Sequence, residues 1–208
     1  AQVSNPAIDS IREKYVMSLD TYLGDKTNLV TPAVINGYKL KSPLLTPELF
    51  NYVVSEAAEW KKVAQLELSF DPQQETLELA IERIVNSASE LVSSGVNFLV
   101  LSDRNISANL VVIHAAMLVG AIHNQLIRQQ LRNQVDLIVE TATARDPHHF
   151  CVLLGFGASA IYPYFSYHLI NEIANQVHSK KTLAQLITNY SAAINKGILK
   201  IMSKMGIS

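Results

Sequence analysis

The stretch FLVLSDR at residues 98–104 decides the fold. Its first four residues are apolar and its last three are polar, which is typical of a buried strand that ends abruptly at the surface. A second apolar run, at residues 137–139, ends in the same way at Glu140. A third, at residues 160–162, follows two glycines. Because helical segments separate these runs, the sequence predicts an α/β fold, with a parallel sheet of βα units flanked by helices.

The helices are predicted from apolar residues that recur every three or four positions. Asp146 followed by Pro147 is a typical N-cap with proline at the first helical position, and Thr46 is a plausible cap for an earlier helix. We expect helices at residues 10–19, 47–60, 74–93, 109–130, 147–154, 166–177 and 182–204, and a half-exposed strand at residues 66–70.

The composition excludes several classes of partner. The chain has 17 Lys and Arg against 18 Asp and Glu, a net charge of −1, so it lacks the basic field that holds nucleic acid. The longest apolar run, residues 110–122, is shorter than the ~20 residues that cross a bilayer. We therefore expect a soluble protein without nucleic-acid or membrane partners. The single cysteine, Cys151, excludes an internal disulfide and a cysteine-rich metal site within this chain.

The ends of the predicted strands form a candidate site. In parallel sheets, ligands bind outside the carboxyl ends of the strands. Here those ends carry Asp103 and Arg104, then Glu140, with Arg145 in the loop beside them. These residues are possible ligand contacts at the rim of the sheet. The alternative, which we prefer, is structural: Asp103 and Arg104 cap a following helix and pair with Glu140.

The sequence GFGASA at residues 155–160 has the spacing of a dinucleotide-binding fingerprint. In that fingerprint a strand precedes the glycines and a helix N-terminus binds the pyrophosphate. Here the predicted helix comes first and the strand follows. We therefore expect no nucleotide binding through this motif.

The histidines and the cysteine are expected to be structural. His148 and His149 are adjacent, and His114 and His123 are nine residues apart, so neither pair faces one metal ion from a helix. Cys151 lies in a mostly apolar helix, and we expect it to be a small buried side chain. We assign no catalytic, cofactor-binding or metal-binding residues to this chain.

Eight short blocks, spread in order along the whole chain, carry a family resemblance. Together they resemble the central domain of the large glutamate synthase polypeptides. The blocks are SNPAID (4–9), IRE (11–13), VMSL (16–19), LSDR (101–104), HHF (148–150), GFGASA (155–160), PY (163–164) and GILKIMSKMGIS (197–208).

The resemblance implies a role between two active sites. In that family a glutaminase releases ammonia, which travels through a tunnel to an FMN-bearing (β/α)8 barrel and adds to 2-oxoglutarate. The imine is then reduced to glutamate with electrons that pass through an iron-sulfur cluster. The chain would be an excised piece of this polypeptide. It would comprise an extended connector from the glutaminase domain (1–47), the central α/β domain (48–190) and the start of the FMN barrel, including its first strand (191–208).

The resemblance also implies where function lies. Ser4 and Asn5 would line the ammonia tunnel or a domain contact. The chain alone would catalyse nothing and bind no cofactor, while the parent enzyme carries FMN and an iron-sulfur cluster. Its partners would be the glutaminase and FMN-barrel domains of the same polypeptide, and ferredoxin. Pro6 with Ala7, and residues 157–160, resemble the ferredoxin-dependent type, which implies a cytoplasmic or plastid stroma location.

Two other functions stay open at this point. One is a stand-alone α/β module that binds a small molecule at the Asp103, Arg104 and Glu140 rim. The other is an independent enzyme on an α/β scaffold. We expect residues 1–47 to separate these readings, because they have too little periodic apolar content to form a core and so favour a strap between domains.

Overall fold

The computed structural model describes residues 17–24, 36–56, 59–178 and 180–207. Within them the chain forms eight strands and six α-helices. The strands are β1 (Thr21–Gly24), β2 (Gly37–Leu40), β3 (Val63–Glu67), β4 (Ser69–Phe70), β5 (Phe98–Ser102), β6 (Val111–Val112), β7 (Asp136–Glu140) and β8 (Ala160–Tyr162). The helices are α1 (Pro47–Ser55), α2 (Leu77–Ser93), α3 (Ala115–Arg128), α4 (Pro147–Gly155), α5 (Tyr164–Gln176) and α6 (Leu183–Met205).

The central sheet has the strand order β3-β5-β7-β8, and every neighbouring pair is parallel. All residues of β5 and β7 are buried. Strands covered on both faces need apolar side chains on both faces, which explains the unbroken apolar runs in the sequence. The predicted fold class is confirmed.

Alternate residues of the strands face two separate apolar layers. Leu99 and Leu101 point to the layer that α2, α3 and α4 cover. Phe98 and Val100 point to the opposite layer, which contains α1, α5 and the β1–β2 hairpin. Helix α6 contributes to both layers along its length. No helix in the described part of the chain is long and apolar enough to cross a membrane.

The predicted N-caps of two helices are confirmed. The Thr46 hydroxyl accepts a hydrogen bond from the Leu49 N–H, and the Asp146 carboxylate accepts from the N–H groups of His148 and His149. Each side chain satisfies backbone donors that have no partner within the helix.

Three predicted elements have different limits in the structure, and the first, the helix expected at 47–60, ends at Ser55. The helix expected at 109–130 begins only at Ala115, because Val111–Val112 pairs with Ser69–Phe70 instead. The strand expected at 66–70 is two strands, since the chain leaves the parallel sheet at the buried Leu68 and turns into this second pairing. Short apolar runs do not reveal which neighbour a strand will have.

The described part of residues 1–47, which we expect to be a connector, packs into the core of the sheet domain. Leu23, Leu40, Leu44 and Leu45 are buried, and Leu44 forms a parallel bridge with Ile161 beside β8. Burial here depends on where the chain crosses the sheet edge, not on a periodic pattern. Of the helix expected at 10–19, residues 10–16 lie outside the described residues, and 17–19 are not helical.

The end of the chain is helical. The helix predicted at 182–204 is confirmed, whereas the strand that the family resemblance implied within 191–208 is wrong, because α6 continues to Met205. Ile187, Ile194 and Ile198 are buried at spacings of seven and four, which is the period of a helix face. The assignment of 191–208 to the FMN barrel stays a prediction.

We expect Leu45→Ala to lower the free energy of unfolding by about 2 to 4 kcal/mol, because Leu45 is fully buried and its removal leaves a cavity. Leu49→Ala is the matched control. Leu49 is 37% exposed on α1, and the change there should cost less than about 1 kcal/mol. Denaturant unfolding of the purified chain measures both. Equal losses would show that the segment before α1 is not part of the core.

Candidate functional site

The carboxyl edge of the sheet brings three of the predicted rim residues together. Arg104 Nη1 donates to Glu140 Oε1 at 2.8 Å, and the Ser102 hydroxyl donates to Glu140 Oε2 at 2.7 Å. The Glu140 side chain is only 4% exposed, whereas that of Arg104 is 58% exposed. The predicted pairing of Arg104 with Glu140 is confirmed.

Asp103 does not cap a helix, so that part of the structural expectation is wrong. Its buried carboxylate accepts hydrogen bonds from the Thr141 hydroxyl and from the Ala142 N–H. The chain then continues as a loop, and the following helix, α3, is capped by His114. Asp103 therefore ties the end of β5 to the loop that follows β7.

Tyr164 packs against the other side of this cluster. The Arg104 guanidinium lies 4.8 Å from the centre of the Tyr164 ring, within the range of a cation–π contact. Burial, and then the neighbouring Asp103 carboxylate, raise the pKa of Tyr164 above its ordinary value. Burial disfavours the charge on Arg104, but the hydrogen bond and charge of Glu140 outweigh it and raise the pKa of Arg104.

These bonds determine what the rim can do chemically. Both acids, Asp103 and Glu140, use their oxygens in hydrogen bonds inside the cluster, and the pKa of Tyr164 keeps its phenol protonated. A general base needs an acceptor that can reach a substrate proton. The geometry is that of a clamp that closes the ends of β5 and β7, with a positive side chain facing outward.

The remaining predicted site residues are not joined to this cluster. Arg145 is exposed at the same edge. Its backbone N–H donates to His149 Nδ1 at 3.3 Å, and its carbonyl accepts from the Tyr190 hydroxyl at 3.4 Å. Ser4 and Asn5 lie outside the described residues.

Ser102 is a residue that sequence reasoning missed. It completes the hydrogen bonding of Glu140 and also accepts from the Arg104 N–H at 3.2 Å. Its position in the sequence could have revealed it, because a buried hydroxyl at the last position of a strand needs a hydrogen-bond partner at the sheet edge.

The glycine motif belongs to the opposite, amino edge of the sheet. It follows α4 and precedes β8, so the predicted reversed order is confirmed. Gly157 has a φ of +113°, and a Cβ there would lie 2.3 Å from His123 Nδ1. The glycine therefore allows close packing against α3 rather than access for a phosphate.

Arg132, which sequence reasoning also missed, holds this packing together. Its guanidinium donates to the carbonyls of Gly157 (2.7 Å) and Val135 (2.6 Å) and to His123 Nδ1 (3.0 Å). We call His123, Arg132 and Gly157 the amino-edge cluster. It joins α3, β7 and the turn before β8.

Two other histidines, His114 and His149, have structural positions, as expected. His114 Nδ1 accepts from the Ala116 N–H as the N-cap of α3, and His149 Nδ1 accepts from the Arg145 N–H. Among the residues that the structure describes, no three His, Cys, Asp or Glu side chains are arranged to hold a metal ion.

Cys151 lines an open, mostly apolar groove of about 320 Å³ between α4 and α6, together with Leu154, Ile198 and Met202. Burial raises the pKa of the Cys151 thiol. The thiol is therefore held in its protonated, weakly nucleophilic form.

Comparison with known proteins identifies relatives along the whole chain. The family model described as "Glutamate synthase central domain" matches residues 1–208. A glutamate synthase [NADH] from Saccharomyces cerevisiae is 41% identical over an alignment of 223 residues, which covers 100% of this chain and 10% of the relative. The glutamate synthase [NADPH] large chain of Bacillus subtilis is 36% identical over 210 residues, 100% of this chain and 14% of the relative. The ferredoxin-dependent glutamate synthase of Antithamnion sp. is 36% identical over 225 residues, with the same coverage. The chain thus spans 10 to 14% of the length of these relatives.

We expect Gly157→Ala to destabilise the chain by about 2 to 4 kcal/mol, because the new Cβ meets His123 and a positive φ is strained for alanine. Gly155→Ala is the matched control. Nothing lies within 4 Å of its Cβ position, so its stability should stay the same or rise by up to about 1 kcal/mol. Denaturant unfolding measures both. A Gly157→Ala variant as stable as Gly155→Ala would contradict the packing described for the amino-edge cluster.

The amino-edge cluster also predicts a pH dependence of stability. Burial, and then the Arg132 charge, lower the pKa of His123 from its ordinary value of about 6.5. Protonation therefore favours the unfolded chain. The stabilisation is complete above about pH 6.5 and is lost as the pH falls toward the folded-state pKa.

We expect His123→Asn to flatten this dependence, because the amide oxygen can accept the Arg132 hydrogen bond without titrating. Unfolding midpoints between about pH 8 and pH 5.5 should fall more steeply for the wild type than for the variant. His148→Asn, at an exposed position, should retain the wild-type slope. If the unfolding midpoints of wild type and His123→Asn change with pH to the same extent, His123 is not the source of the pH dependence.

Proposed function

This chain belongs to the glutamate synthase central domain family, and we propose that it bridges the glutaminase and the FMN-bearing barrel of a glutamate synthase and helps line the ammonia tunnel between them. The parent reaction would convert glutamine, 2-oxoglutarate, two electrons and two protons into two glutamates. The observation that supports this role is the family match over residues 1–208, together with relatives that are each glutamate synthases.

The proposed division of the chain follows the same role. Residues 1–47 would come from the glutaminase side, 48–190 would form the central domain, and 191–208 would lead into the FMN barrel. The first part is tied firmly to the sheet at its described end, where the Gly24 N–H donates to the buried Asp136 carboxylate at 2.6 Å. A connector fixed in this way would hold the neighbouring domain in a defined position.

The chemistry of the rim supports a bridging role over a catalytic one. The acids of the rim are buried and hydrogen bonded to groups of the same cluster. In this proposal FMN, the iron-sulfur cluster and the catalytic groups belong to the other domains of the parent polypeptide. A stand-alone small-molecule module would need convergent polar groups that are free to bind a ligand.

The electron donor is a finer part of the proposal. Pro6 with Ala7 and residues 157–160 favour ferredoxin. The names of the relatives include NADH, NADPH and ferredoxin. Their identities to this chain, 36 to 41%, are too similar to favour one of the three donors. Ferredoxin dependence therefore stays a prediction.

We expect Asn5→Ala to loosen the coupling of the two sites in the full-length enzyme. The Asn5 amide has two donors and an acceptor that can hold a loop of the tunnel wall in place, as the Ser4 hydroxyl can. Without it, ammonia should escape, so glutamine is consumed faster than 2-oxoglutarate, while synthesis from added ammonia changes little.

The measurement is the ratio of glutamine consumed to 2-oxoglutarate consumed. Asn51→Ala, at an exposed position on α1, is the matched control and should keep this ratio at unity. If the ratio also stays at unity in Asn5→Ala, Asn5 has no part in enclosing ammonia.

A further inference from the structure

The β1–β2 hairpin is attached to the central sheet without sharing a strand ladder with it. In the described part of the chain, its two strands form a separate two-stranded sheet. Leu23 and Leu40 pack into the apolar layer that contains Phe98 and Ile138. Because apolar packing is non-directional, these contacts hold the hairpin against the sheet without specifying one position on it.

A hydrogen bond between Gly24 and Asp136 supplies a definite position. The Gly24 N–H donates to Asp136 Oδ2 at 2.6 Å, and 112 residues separate the two in sequence. Asp136 is the first residue of β7 and lies opposite Phe98 in the register of the sheet, so its side chain points to the face that the hairpin covers. A bond from an N–H to a carboxylate is strong and directional, so it fixes where β1 lies.

The donor position requires glycine. Gly24 has a φ of +135°, which L side chains rarely adopt, and a Cβ there would clash with the Asn36 carbonyl oxygen. Gly37 lies directly across the hairpin from Gly24, and a Cβ at Gly37 would clash with the Leu23 carbonyl oxygen. The end of the hairpin is therefore two glycines in close contact, and the N–H of one of them is bonded to Asp136.

The acceptor is a buried charge that the amino-edge cluster supports. Asp136 is fully buried, and a buried carboxylate needs donors or positive charge around it. Burial lowers the pKa of Arg132, and the charge of Asp136 acts in the opposite direction. Arg132 is held in turn by the carbonyls of Val135 and Gly157. The carboxylate that binds the hairpin is thus part of the sheet domain itself.

The hairpin belongs to the same segment as Ser4 and Asn5. Met17, where the described part of this segment begins, is buried, and Leu19 packs against the apolar layer beside α4 and α6. Since β1 follows these residues directly, its position on the sheet determines where the preceding segment enters the domain.

We propose that Asp136 is a positioning residue for the coupled reaction. By holding the Gly24 N–H, it fixes the β1–β2 hairpin on the sheet and keeps the segment before it, with Ser4 and Asn5, where ammonia stays enclosed. This inference rests on the proposed bridging function and gives a residue of the central sheet a part in it.

The test uses the full-length synthase and two substitutions of Asp136. Asp136→Leu leaves the Gly24 N–H without an acceptor, so the ratio of glutamine consumed to 2-oxoglutarate consumed should rise from unity to about two or more. Asp136→Asn keeps an oxygen that can accept the same bond, and its ratio should stay near unity. Synthesis from added ammonia should change little in both. A ratio at unity in Asp136→Leu, or an equal rise in both variants, would overturn the proposal.

Gly157→Ala is the matched control for lost stability. It also lies at the amino edge and is expected to destabilise the domain, but its new Cβ meets His123 rather than the hairpin. Its ratio should stay at unity. A rise as large as that in Asp136→Leu would show that lost stability alone uncouples the two sites, and Asp136 would then have no positioning role.

Amide hydrogen exchange of the same enzymes reports on the bond itself. In Asp136→Leu, residues 21–24 should exchange about tenfold faster, as expected for the loss of a hydrogen bond to a charged group. The amides of β5 and β7 should stay protected, which shows that the sheet is intact. Unchanged exchange at residues 21–24 would contradict the proposal.

Leu23→Ala covers the case in which Asp136→Leu does not fold. Leu23 is 1% exposed, so its truncation loosens the same hairpin from its apolar side and leaves Asp136 in place. The ratio should again rise above unity, and a ratio at unity would show that the position of the hairpin has no effect on coupling. Failure of the bridging function is seen separately in the unmodified enzyme, which would then consume glutamine without forming glutamate from 2-oxoglutarate.

Discussion

The conformation of the carboxyl edge depends on two buried carboxylates, those of Asp103 and Glu140. Because β5 and β7 are covered on both faces, the side chains of Asp103 and Glu140 are buried where the strands end. A buried charge must be paired or hydrogen bonded, so Ser102, Thr141 and Arg104 are each held in one position. The loops at this edge follow from that requirement, and so does the outward direction of the one large cation in the cluster.

Three strands of the central sheet, β5, β7 and β8, could be predicted from the sequence, because wholly buried strands leave a strong local signal, whereas the half-buried β3 was not predicted with its observed limits. The pairing of Arg104 with Glu140 could be predicted too, since carboxyl ends of neighbouring parallel strands meet at one edge. The bonds of Asp103 could not, because they depend on a loop conformation that no periodic pattern records. The second strand pair, between β4 and β6, could not be predicted either, because each strand has only two residues and shows no periodic pattern.

The leucines before α1 show a different limit of sequence reasoning. Their irregular spacing predicts a connector, yet Leu23, Leu40 and Leu45 belong to one of the two apolar layers and Leu44 belongs to the other. A connector between domains, as expected for residues 1–47, can therefore also supply part of this core. The family match supplies what composition did not, because it shows that the chain belongs to the glutamate synthase central domain family.

The contact between residues 43–45 and Ile161 affects the order in which the chain can fold during synthesis. The Leu45 N–H donates to the Ile161 carbonyl at 2.9 Å, and the Ile161 N–H donates to the Pro43 carbonyl at 2.8 Å. More than a hundred residues separate the two segments in sequence. A ribosome adds about 5 to 20 residues per second, so the newly made leucines wait roughly 5 to 25 seconds before their strand partner exists. During that interval these leucines are exposed to chaperones and to premature association, and the β8 edge is completed only late in the synthesis of residues 1–208.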